Sequence, residues 1–99
     1  RIFNYRALCF ARQEKVSLPG FDENEYAAAS NANARSWKGL VDEFIALRQS
    51  TEMLYKSFTP AMLTSTGISN NKPATTASFG FITLGHFYHH KKIMEERYL

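Results

Sequence analysis

The clearest periodicity in the chain lies in residues 37–58. Trp37, Leu40, Val41, Phe44, Ile45, Thr51, Leu54, Tyr55 and Phe58 recur at spacings that keep them on one side of a helix. Ser36 precedes this stretch as an N-cap, and Pro60 reads as its stop. Residues Arg1–Gln13 carry a shorter pattern and read as the end of a helix. There Ile2, Tyr5, Arg6 and Cys9 fall at i, i+3, i+4 and i+7, with Phe3 and Phe10 widening the apolar face. Leu18-Pro19-Gly20 breaks the chain. Asp22, with Glu25 three residues on, resembles a capping box for a short helix through Tyr26 and the alanines. The small, polar run Ser30–Arg35 is a connection.

The pattern changes at Leu63–Thr75, where LTSTGISNNKPAT is rich in Thr, Ser, Asn and Gly. Asn70-Asn71 tolerates positive φ, which predicts a two-residue hairpin turn. A last helix follows from Thr75 or Thr76, either of which can cap it. No proline interrupts this helix as far as Leu99.

The candidate chemistry lies in that last helix. Ile82, His86, His90, Ile93 and Arg97 share one face, with His86 and His90 roughly 40° apart about the axis. Phe79, Ile82, Ile93 and Met94 bracket the two histidines, so the pair is expected to point inward. Imidazoles at i and i+4 can reach one divalent ion. His89 falls at the edge of this face, and no Glu follows the first His, so the HExxH protease pattern is not met. Phe81, Leu84, Phe87 and Tyr88 lie away from the histidine stripe, predicting a helix buried on both sides, by the bundle and by a second subunit. Arg48 falls inside the apolar face of the 37–58 helix, beside Phe44 and Tyr55. A charge there needs a partner. Glu52 or a snorkelling stem is the first expectation, and a substrate carboxylate is the alternative.

Composition narrows the class. The chain has 99 residues, 44% hydrophobic and 14% aromatic, enough for one domain with a core. It opens at Arg1 in mid-helix and reads as a fragment. Twelve basic residues against nine acidic give +3, scattered rather than gathered into a nucleic-acid footprint. The longest apolar stretch, around Phe79–Leu84, is far short of the ~20 residues of a membrane span. Cys9 is the only cysteine, which excludes an internal disulfide and fits a reducing cytoplasm. Its place on an apolar stripe marks it as a small hydrophobe rather than a nucleophile.

Five segments together resemble a known family: RIFNYRALCFAR, LPGFDE, LVDEFIALRQST, STGISNNKPAT and GHFYHHKKIMEERYL. They are similar to the DinB-like superfamily of metalloenzymes (unrelated to the lesion-bypass polymerase of that name), and the resemblance covers nearly all of the chain. It implies an all-α, up-down-down-up four-helix bundle, often dimeric, with a short hairpin before the last helix and the first helix missing from this fragment. It implies three histidine ligands to a divalent metal. His86 and His90 match two of them, and the third is expected upstream of Arg1. Relatives include bacillithiol-dependent S-transferases and a mycothiol-dependent isomerase. On that footing the expected function is a metal-dependent thiol S-transferase using nickel or zinc, with Tyr5, Phe44, Arg48 and Tyr55 lining a small-molecule pocket. The alternative is a non-catalytic, metal-binding or stress-related homodimeric bundle. Phe81, Leu84 and Tyr88 would serve as an interface in either case.

Overall fold

Four of the five α-helices begin where a side-chain oxygen accepts a free N–H of the first turn; the first, which starts after Arg1, has no such cap. The computed structural model describes all of Arg1–Leu99. Helix α1 spans Ile2–Ala11. Asp22 accepts from the Glu25 backbone N–H at 2.9 Å and opens α2, Glu23–Ala28, although Glu25 does not return the bond. A 3₁₀ turn follows at Ala32–Ala34. Ser36 accepts from Gly39 at 3.0 Å and opens α3, Trp37–Lys56. Thr75 accepts from the Ser78 N–H at 3.1 Å, and the Ser78 hydroxyl accepts in return from the Thr75 N–H at 3.2 Å, a full capping box that opens α5, Thr76–Arg97. One punctuation mark is corrected. Pro60 does not stop α3, which ends at Lys56; it is the first residue of a further short helix, α4, Pro60–Thr64, capped by Thr59.

Strand β1, Thr66–Ser69, pairs antiparallel with β2, Lys72–Thr75. Asn70 and Asn71 turn the hairpin at φ 51° and 62°. Leu18 joins the free edge of β1: its N–H donates to Ile68 at 2.8 Å, and its carbonyl accepts from Asn70 at 3.0 Å. The chain is thus mostly helical, with five α-helices and one two-stranded sheet. No helix is long and apolar enough to cross a membrane.

The core is small and sits at the hairpin end. Ala7, Phe10 and Ala11 from α1 meet Leu18 and Phe79, with Ser69 and Thr76 the only buried polar residues. The Phe10 and Phe79 rings meet edge to face at 5.1 Å. Gly67 lies flat on Phe10, where a Cβ would come within 2.6 Å of a ring carbon. The Ser65 hydroxyl donates to the Phe10 carbonyl at 2.6 Å, and the Thr76 N–H donates to the Ser65 carbonyl at 3.0 Å. These bonds tie α1 to the start of α5.

Further out the helices are held by side chains at their tips. Phe3 meets His86 while Phe10 meets Phe79, so α1 and α5 run antiparallel. Phe44 meets Phe87 and Tyr55 meets Gly80, so α3 and α5 are antiparallel too. Helices α1 and α3 are therefore parallel, joined by Asn4 donating to Thr51 at 2.7 Å and by the Arg1–Glu43 ion pair at 3.2 Å. The radius of gyration, 15.1 Å, exceeds the about 13 Å of a compact chain of this length.

Three burial expectations are corrected by this shape. The inward stripe of α1 runs through Phe3, Ala7, Phe10 and Ala11, leaving Tyr5 61% exposed. Helix α3 has no buried residue despite its strong periodicity. Helix α5 buries only Thr76 and Phe79, and Phe81 is 76% exposed rather than covered. For α3 and α5 the physical reason is shared: they meet their neighbours through spaced side-chain contacts, from Phe44–Phe87 to Tyr55–Gly80, without being covered between them, so their apolar stripes line an open trough.

The Gly67–Phe10 contact yields a stability prediction. Gly67→Ala should destabilise the chain by about 1–3 kcal/mol through overpacking against the ring. Urea denaturation with an unchanged slope would register this. Combining it with Phe10→Leu should cost less than the sum of the two single changes.

Candidate metal centre

One helical turn separates His86 from His90 on α5, and the structure brings their Nε2 atoms to 3.0 Å. Without an ion this contact is a hydrogen bond, one ring donating and the other accepting. The spacing also suits shared coordination. Two nitrogens bound at about 2.0–2.1 Å to one tetrahedral ion lie about 3.3 Å apart. The rings meet at 4.5 Å between centroids, and Phe3 of α1 sets its ring edge to face against His86 at 5.6 Å. His89 is turned toward His90 with centroids 5.6 Å apart and does not converge on the same point. No group of three His, Cys, Asp or Glu side chains in these residues is close enough to hold an ion. The structure thus brings together two imidazoles, His86 and His90, and no third donor.

The expectation that both imidazoles point away from water is corrected: both residues are exposed. They border a cavity of about 230 Å³ between α1, α3 and α5, walled by Phe3, Phe44, Leu47 and Phe87. Phe87, expected away from the histidine stripe, lines the same cavity. It stacks on Phe44 at 5.8 Å, because it is only one residue past His86 and α3 approaches from that side. Burial lowers the His86 pKa from its ordinary value, with the charges of His90 and His89 adding to the effect. The neutral imidazole is the form that ligates metal.

The electrostatics of the trough are cationic. Arg1 and Arg48 line the histidine cavity, and no acidic residue does. Arg1 is offset by Glu43, which also binds Arg35 at 3.0 Å; the hydrogen bonds from Arg35 and Arg1 hold its carboxyl below the usual range. Arg48 makes no ion pair. The expected bridge to Glu52 does not form; instead its guanidinium lies 6.0 Å from the centre of the Phe87 ring.

The other expected pocket residues separate. Phe44 and Arg48 line the histidine cavity. Tyr55 lines an adjoining cleft, again with Arg48, and its phenol is raised by burial. Tyr5 lines neither; it lies beside Cys9, whose hydrogen bond raises the Tyr5 phenol. Phe3, Asn4 and Thr51 complete the histidine cavity. The i, i+4 spacing of the two histidines was readable, whereas the polar pair Asn4–Thr51 joins positions 47 residues apart and left no local signal.

A pH dependence follows from His86. In the unfolded chain a histidine takes up its proton near pH 6.5, whereas folded His86 does so only at lower pH. The unfolded state then binds more protons in that window, so the metal-free protein should lose stability as pH falls through about 6.5. Urea midpoints at pH 7.5 and 5.0 should differ less in His86→Gln than in the original chain. Equal pH dependence in both would assign the effect to other groups. Comparison of the chain with protein-family models, with curated proteins and with solved structures found no match.

Proposed function

We propose that this chain is part of a DinB-like metalloenzyme that holds nickel or zinc through His86 and His90 and catalyses transfer of a small thiol. The observation that carries the metal reading is the convergence of the two Nε2 atoms, 3.0 Å apart, at the edge of a cavity. The helix directions support the family reading. Helices α1 and α3 run parallel and α5 antiparallel, the order of the last three helices in an up-down-down-up bundle. The remaining protein ligand, on this reading, is a histidine upstream of Arg1. Thiol transfer as the reaction class rests on the quoted sequence motifs. A cytoplasmic location goes with it, since a reducing compartment suits an unpaired cysteine.

A divalent ion would supply Lewis acidity that keeps a thiol deprotonated at neutral pH. The chain's own groups do the rest. Phe3, pressed on His86, fixes one imidazole plane. The Asn4–Thr51 bond keeps α1 and α3 at the spacing that forms the cavity. Phe44 and Phe87 exclude water from one wall, and Arg48 offers a positive charge to an anionic reactant.

The exposed side of α5 favours a dimer within the same proposal. Phe81, Leu84 and Tyr88 are 76%, 45% and 62% exposed, and an apolar surface of this kind marks a contact. Sedimentation of the full-length protein should show a dimer that Phe81→Glu with Tyr88→Glu shifts toward monomer.

Metal analysis tests the centre. The full-length protein, purified without a His tag, should carry about one divalent ion per chain. His86→Ala should lose most of it while keeping its helical circular dichroism. Undiminished metal in that variant would remove His86 from the site. Unfolding on metal removal would make the ion structural.

A further inference from the structure

Two arginines line the histidine cavity, and one of them is held by a carboxylate outside it. Arg1 borders that cavity with His86 and His90, and it shares a second concavity, of about 500 Å³, with His86. Its charge therefore stands beside His86 in both. Glu43 of α3 lines neither. Its Oε1 accepts from the Arg1 guanidinium at 3.2 Å, and its Oε2 accepts from Arg35 at 3.0 Å. Each carboxylate oxygen is committed to a different arginine, and Arg35 fixes the group from the side away from Arg1.

This pairing matters to an ion at His86 and His90. Neutral imidazoles bring no charge to offset a divalent cation. Every fixed charge in the cavity wall is positive. Glu43 cancels Arg1 where the two meet, and its side chain is only 34% exposed, so water screens the pair in part. The Arg1 side chain is itself 69% exposed and has no other ionic partner. Without the carboxylate its guanidinium is free to turn toward His86. An exposed ion pair adds little to stability. Its effect on a dication is larger, because the interaction scales with the charge of the ion and the wall holds no other anion.

We infer that Glu43 is a positioning residue for the metal: by holding Arg1 it keeps a positive charge off His86 and His90 and so raises their affinity for a divalent ion. The inference rests on the metal reading of that pair. It adds a residue that touches neither the ion nor the cavity and acts through Arg1.

Calorimetric titration of the metal-stripped full-length protein with zinc, and separately with nickel, tests it. Glu43→Gln should bind the ion about threefold or more weakly at low salt, and the difference should vanish near ~1 M salt, where charges are screened within about 3 Å. Arg1→Gln should bind at least as tightly as the original chain. Arg1→Gln combined with Glu43→Gln should recover the original affinity, because the charge that Glu43 holds is then gone. A carboxylate that only braces α1 against α3 gives another pattern: Arg1→Gln weakens binding as Glu43→Gln does, and the double variant does not recover. That pattern, or unchanged affinity in Glu43→Gln, overturns the inference, while loss of the ion in His86→Ala still upholds the metal centre. Should Glu43→Gln lose its helical circular dichroism, Arg1→Gln decides alone, and weaker binding there overturns the inference. An original chain that binds neither ion overturns the metal reading and this inference with it.

Discussion

Everything in this fold hangs on the seat of the Phe10 ring. One of its faces lies on the bare backbone of Gly67 in β1, and the ring meets the Phe79 ring of α5 edge to face. Ser65 reinforces the joint, its hydroxyl bonding the Phe10 carbonyl and its own carbonyl receiving the Thr76 N–H. Three elements distant in sequence are thereby clamped at one point. That point fixes where α5 begins and the direction in which it leaves. A side chain at position 67 or a smaller ring at position 10 would loosen all three elements together, because no second core shares the load.

From that joint the helices diverge, and the divergence creates the site. His86 lies seven residues beyond Phe79, or about 10 Å along the axis, past the last buried residue of α5. Had α3 closed fully on α5, the imidazoles would be sealed into a core, where their only role would be packing. Instead Phe44 and Phe87 bridge the gap like a strut, and the cavity beside them stays open to a ligand. The same opening leaves Trp37 70% and Phe81 76% exposed. A chain with this much apolar surface gains from any cover, whether another helix or a second copy.

Local chemistry was legible in the sequence, and long-range packing was not. Ser36, Asp22 and Thr75 announced their helices because a cap is decided within four residues. Asn70-Asn71 announced the hairpin for the same reason, since two adjacent residues that tolerate positive φ define the turn. Pro60 misled because proline both ends and begins helices, and the Thr59 hydroxyl, capping from one position earlier, decides which. On α1 the stripe through Tyr5 and the stripe through Ala7 were both available. Only the position of the hairpin selects the second, and that depends on Gly67 fitting Phe10 across more than fifty residues. Of the site, the His86–His90 spacing was visible, while the loss of the Arg48–Glu52 bridge was not. Favourable spacing on a helix permits an ion pair, but the Phe87 ring competed for the guanidinium.

The electrostatics of the trough constrain any function assigned to it. Glu43 pairs with Arg1, burial lowers the His86 pKa and favours its neutral form, and Arg48 has no carboxylate partner. A divalent cation entering this field is opposed unless an anion comes with it. A thiolate or a carboxylate would supply that anion, and each would find Arg48 within the same wall. Metal and anionic ligand should therefore bind with positive coupling, each lowering the electrostatic cost of the other. A cation-only site or an apolar-only site would leave the guanidinium as an unpaired, half-buried charge, the arrangement that proteins least tolerate. Arg48, on the wall shared by the two cavities, is thus the charge that any ligand of either cavity meets.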